Sequence, residues 1–84
     1  MSKDKGKITK KEEYKYIEFG IRLKEVMFRQ NISNRELAQK MFVTPSTISD
    51  YRNGRRAPSI DNLAALSRIL HVSADYLIGV SNEP

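Results

Sequence analysis

Residues 32–54 read ISNRELAQKMFVTPSTISDYRNG, and two helix starts fall within this short stretch. Ser33 and Glu36 make the Ser-x-x-Glu pattern of a capping box, in which each side chain satisfies a backbone amide at a helix start. Leu37, Ala38 and Met41 follow at spacings of three and four and give that helix one apolar side. Val43 turns inward. Thr44–Pro45 then restarts a helix, with threonine as N-cap and proline at the first helical position. In this second helix only Ile48 and Tyr51 are suited to burial. Pro45, Ser46, Thr47, Ser49 and Asp50 face outward or sideways. A helix with a short, polar exposed face can enter a DNA major groove, because short side chains let its axis approach the base edges.

The flanking sequence continues in helices. One helix is expected from about Glu12 to Gln30, with Phe19, Leu23 and Val26 as its core stripe and Asn31 at its C-terminal cap. The pair around the turn should span about Asn34 to Met41 and Pro45 to Asn53, with Gly54 ending the latter. Arg55 to Pro58 read as a loop. Ser59 caps a fourth helix carrying Ile60, Leu63, Leu66, Ile69 and Leu70 inward and ending near His71. Ser73 caps a short fifth helix, with Asp75 at its positive end, Tyr76 and Leu77 packing back, and Gly79 as its stop. No strand pattern and no internal repeat is present. The expected fold is all-α, with three parts: residues 1–11 as a flexible basic arm, 12–79 as the folded domain, and 80–84 as a short polar tail.

Eighty-four residues make one small domain with a modest core. The chain has no cysteine, which excludes disulfides and thiolate metal sites. No apolar run reaches the roughly 18 residues of a membrane span, and no signal-peptide pattern is present. A cytoplasmic location, in a bacterium or a phage-infected cell, fits these features. The net charge of +5 is unevenly placed. Residues 1–11 carry Lys3, Lys5, Lys7, Lys10 and Lys11 against Asp4, and the remaining ten basic and nine acidic residues nearly cancel. Arg52, Arg55 and Arg56 bunch around the end of the third helix, whereas Asp61, Asp75 and Glu83 lie elsewhere. Such asymmetry suits a nucleic-acid binder, although lysine-rich tails also serve solubility alone.

Three segments, FGIRLKEVM, ISNRELAQKMFVTPSTISDYRNGRRAPS and IDNLAALSRILHVSADYLIG, resemble in order and spacing the phage lambda repressor/Cro-like helix-turn-helix proteins, also called XRE-type regulators. The resemblance runs from about Phe19 to Gly79. It implies a compact bundle of about five helices around a central helix-turn-helix, binding double-stranded DNA, usually as a dimer. Two positions depart from the family pattern. Asn31 stands where relatives usually have glycine, and asparagine is the next best left-handed cap. Phe42 stands where relatives usually place glycine at positive φ, which for phenylalanine costs on the order of 1–2 kcal/mol. Either the turn changes shape or Phe42 gains compensating packing.

The resemblance also implies roles for single residues. Base-reading positions map to Pro45, Ser46 and Asp50, with Thr47 and Ser49 as neighbours. Ser46 can donate or accept, Asp50 can accept from cytosine N4, and Pro45 offers apolar contact only. Asp50 could instead repel phosphate or pair with Arg52 or Arg29. Phosphate-contacting positions map to Asn34, whose amide can also donate toward the third helix, and to Asn53 with Arg55 and Arg56. Arg22 matches a family position near the DNA backbone, with a structural role as its alternative. The plain alternative for the others is solvated surface.

Tyr14, Ile17, Ile21 and Phe28 form a second apolar stripe on the first helix, roughly opposite the core stripe. It either packs on the fifth helix and the tail or forms a partner surface, such as a dimer contact. His71 is the only histidine, and no metal-ligand spacing or Ser/His/Asp set surrounds it. An enzyme is therefore not expected, nor any cofactor, metal, membrane or small-molecule ligand. The expected function is a sequence-specific transcriptional regulator, a repressor acting as a homodimer on a pseudo-palindromic operator. A restriction-system controller protein is a variant of this reading. The main rival is an antitoxin or adaptor that binds a protein through the first helix. RNA binding is disfavoured because no aromatic platform alternates with the basic residues.

Overall fold

A computed structural model describes residues 16–84, and within them the chain forms five α-helices: α1 (Ile17–Gln30), α2 (Asn34–Met41), α3 (Pro45–Arg52), α4 (Ile60–Leu70) and α5 (Ala74–Ile78). Most boundaries have a local cause. Ser33 and Glu36 form both halves of the capping box, with Glu36 N–H donating to Ser33 Oγ at 3.1 Å and Ser33 N–H to Glu36 Oε1 at 2.9 Å. Thr44, Ser59 and Ser73 cap α3, α4 and α5 in the same manner, each accepting from the amide three residues on. Asn31, Phe42 and His71 end α1, α2 and α4 in the left-handed conformation. The start expected near Glu12, the lysines of residues 1–11 and Tyr14 lie outside the described residues.

All five helices contribute to one core. Leu23, Leu37, Ile48, Leu66, Leu70 and Leu77 are fully buried in it, and Val43 and Leu63 pack against its edge. Two features place α3 within this core. Gly20 on α1 lies so close to the end of α3 that a Cβ there would stand 2.5 Å from the Arg52 carbonyl oxygen. The edge-on contact of Phe19 with Tyr51 has ring centroids 5.8 Å apart, and Tyr51 Oη accepts from Asn62 Nδ2 at 3.0 Å. Buried tyrosine thus keeps its polar end satisfied while its ring locks α3 to α1 and α4.

Two expectations change. Ile60, expected inward, is exposed at the first residue of α4, while Asn62 and Leu63 of the same turn face Tyr51 and the core. Phe42 keeps the positive φ of 59° and also leaves its side chain 95% exposed, so neither a reshaped turn nor packing compensates it. The short tail of residues 80–84 is tied to the helices: Ser73 N–H donates to Pro84 O at 2.7 Å, and Arg22 Nη1 donates to Ser81 O at 2.7 Å.

Candidate nucleic-acid interface

The outward face of α3 carries the expected reading residues on a short, well-anchored helix. Ile48 and Tyr51 point into the core, which leaves Pro45 and Ser46 exposed and Thr47, Ser49 and Asp50 half-buried along the opposite side. Ser46 and Asp50 stand four residues apart and so project from successive turns of one face. All three hydroxyls are partly engaged, with Ser46 Oγ 3.5 Å from Thr44 Oγ1. Thr47 Oγ1 lies 3.0 Å from the capping Thr44 Oγ1, and Ser49 Oγ accepts from Asn53 Nδ2 at 3.4 Å.

Cationic and amide groups border this face. Asp50 carries two arginines, Arg55 Nη1 at 3.1 Å from Oδ1 and Arg56 Nη2 at 3.7 Å from Oδ2. The partners considered from sequence were Arg52 and Arg29. The loop after Gly54, whose φ of 73° turns the chain back, brings Arg55 and Arg56 alongside instead, and Arg55 N–H donates to Asp50 O at 2.9 Å. Arg52 is occupied differently. Its Nη1 donates to Asn34 Oδ1 at the first residue of α2. The Asn34 amide therefore accepts from α3 rather than donating toward it. This contact was not legible in sequence; its only signal is the position of Arg52 in the last turn of α3.

Arg22 does not join this group. Its side chain is only 13% exposed. It stacks on the Tyr76 ring at 4.5 Å from the centroid and donates to Tyr76 O at 3.0 Å, Ser81 O at 2.7 Å and Asn82 Oδ1 at 3.0 Å, while its Nε pairs with Glu18. These contacts form the structural alternative considered from sequence, a clasp that holds α5 and the last residues to α1. The second stripe of α1 divides as well. Ile17 is half-buried against Gly54, whereas Ile21 and Phe28 are exposed.

Two surface grooves flank the helix-turn-helix. One, of about 470 Å³, runs between α1 and the start of α2 and is bordered by Phe28, Asn31, Glu36 and Arg52. The other, of about 250 Å³, is apolar and bordered by Phe19, Pro58, Leu63 and Ile78. Among the described residues there is no cluster of three or more histidine, aspartate or glutamate side chains able to hold a metal, and no helix long and apolar enough to cross a membrane.

Known proteins share this arrangement. The chain is 37% identical over 60 residues to the HTH-type transcriptional regulator ImmR of Bacillus subtilis (strain 168), covering 71% of this chain and 47% of that protein. It thus spans about half the length of that relative. The P22 c2 repressor, crystallised in complex with synthetic operator 9T in the presence of Tl+, superposes with a TM-score of 0.71 at 28% identity, covering 75% of this chain and 96% of the repressor. The restriction-modification controller protein C.AhdI from Aeromonas hydrophila superposes with a TM-score of 0.69 at 26% identity, covering 74% and 94%. These proteins are regulators and not enzymes. A helix-turn-helix family model matches residues 23–77, most of the folded region. With that match and the capped α2–turn–α3 unit, this chain belongs to the helix-turn-helix family, of the lambda repressor/Cro-like type.

Proposed function

We propose that this chain binds double-stranded DNA sequence-specifically and represses transcription, inserting α3 into the major groove. The observation that carries the reading is the outward face of α3, with Ser46 and Asp50 on successive turns and Asn34, Asn53, Arg55 and Arg56 at its margins. Ser46, Asp50 and, by apolar contact, Pro45 address base edges, with Thr47 and Ser49 beside them. The marginal residues address phosphates. Lys3, Lys5, Lys7, Lys10 and Lys11 extend the contact along the backbone. The similarity to the P22 c2 repressor, crystallised in complex with a synthetic operator, supports DNA binding.

The proposed assembly is a homodimer on a pseudo-palindromic operator, with the two α3 helices in successive major grooves about 34 Å apart. Exposed Ile21 and Phe28 provide an apolar strip on α1 for the contact between copies. A cytoplasmic site of action follows from this role. The antitoxin or adaptor reading is not favoured, since the relatives are named as regulators.

Selection of bound sequences from random duplex DNA, at stated salt, tests the proposal. The expected result is a pseudo-palindromic motif with half-sites one helical turn apart. Retention without any enriched motif contradicts sequence-specific binding.

A further inference from the structure

Arg52 has no acidic partner among the described residues. The Asp50 carboxylate is held by Arg55 and Arg56, and Glu36 Oε1 accepts the Ser33 amide. Arg52 forms no ion pair among the described residues and donates instead to a neutral amide, Asn34, eighteen residues away in sequence. A guanidinium has only donors, so it determines which end of that amide it meets: the oxygen. Asn34 Nδ2 is left on the other side, with no hydrogen bond to any described residue. A positive charge held on the amide oxygen also polarises the amide and strengthens Nδ2 as a donor.

We propose that Arg52 is a positioning residue for phosphate binding, clamping the Asn34 amide oxygen so that Nδ2 is aimed at the duplex backbone. The inference rests on the reading of Asn34 as a phosphate contact. It assigns Arg52 a different part from Arg55 and Arg56: they meet phosphate with their own charge, whereas Arg52 acts through a neighbour. The last turn of α3 thereby couples to the first turn of α2. The α1–α3 approach at Gly20 holds the Arg52 backbone against α1 and so anchors that coupling.

The test is a double-mutant cycle on the full chain, read as affinity for the selected duplex and for an unrelated duplex across a salt series. Asn34→Ala is expected to weaken both about tenfold, the loss of one hydrogen bond to a charged group, with the salt slope unchanged because the amide is neutral. Arg52→Met is expected to do the same, and the double variant to bind no worse than either single one. Arg52→Lys, which keeps a cationic donor for Asn34 Oδ1, should recover part of the loss. A slope lowered by about 0.9 in Arg52→Met would mean that Arg52 touches phosphate itself, and additive losses would mean that the two residues act apart; either overturns the proposal. Normal binding by Asn34→Ala overturns the reading of Asn34, and the inference with it, without reference to any Arg52 variant. Should Arg52→Met fail to fold, Arg52→Gln takes its place in the cycle, and additive losses with Asn34→Ala again overturn the proposal.

Discussion

Asp50 Oδ1 and Arg55 Nη1 lie 3.1 Å apart, so the side chain proposed to read a base and the one proposed to hold a phosphate are partners in the free protein. Arg55 is 65% and Asp50 28% exposed. A pair this accessible contributes about 0.2–1 kcal/mol, whereas a base contact is worth about 1–3 kcal/mol. Under the proposed roles, the bond orients both groups before binding and gives way to the stronger base contact. The two roles remain separable by mutation, because the coupling is smaller than either loss.

Gly20→Ala is expected to be among the most damaging single changes in the fold. The new Cβ would stand 2.5 Å from Arg52 O and 2.8 Å from Tyr51 O, and both obstacles are backbone. Separating α1 from α3 should cost about 3 kcal/mol and lower the melting temperature by about 12 °C or more. An unchanged melting temperature would show that the helices do not approach this closely.

Phe42→Gly is expected to stabilise the protein. The side chain is 95% exposed, so little packing is lost, while glycine adopts the φ of 59° without steric penalty. The gain should be about 1 kcal/mol, or about 5 °C in thermal melting. A lower melting temperature would assign Phe42 a packing role.

Arg22→Met separates the clasp from a DNA contact. Removing the donors to Tyr76 O, Ser81 O and Asn82 Oδ1 should cost about 2 kcal/mol. It should also speed hydrogen exchange at the Ser73 amide, which bonds Pro84 O. The salt slope of DNA binding should stay at the parental value. A slope lowered by about 0.9 with stability intact would restore the phosphate role implied by the family resemblance.

The parts of this fold that were legible in sequence are local ones. Ser33 with Glu36, Thr44 with Pro45, Ser59 and Ser73 each mark a helix start within four residues, and all four caps form. The fourth helix was expected to end near His71, which caps it at a φ of 57°. The outward face of α3 followed from the burial of Ile48 and Tyr51 alone. The remainder depends on residues distant in sequence. Arg52 meets Asn34 across 18 positions and Arg22 meets Ser81 across 59, and no period or cap signal encodes such pairs. Ile60 has the spacing of a core residue, yet exposure at a helix's first turn depends on what lies beside it. Phe42 shows the limit of propensity: the turn between α2 and α3 is imposed by their packing, and the residue accepts the strain.

Ile21→Lys tests the proposed contact between copies. Ile21 is 51% exposed, so the variant should retain helical content and melting temperature. Sedimentation should shift toward the monomer. Identical sedimentation of variant and parent would remove the α1 strip from the assembly, and unfolding would place Ile21 in the core.

The central claim is that α3 reads bases while its margins hold phosphates, and the most direct measurement compares the motifs selected by the parent, Asp50→Ala and Arg55→Ala from random duplex DNA. Both variants should fold, because neither side chain belongs to the core around Leu37 and Ile48. Asp50→Ala should relax the motif at one symmetric pair of positions, a cytosine in each half-site, at a cost of about 1–3 kcal/mol for the preferred sequence. Arg55→Ala should select the parental motif with lower affinity for every duplex. A changed motif from Arg55→Ala beside an unchanged one from Asp50→Ala would contradict the account.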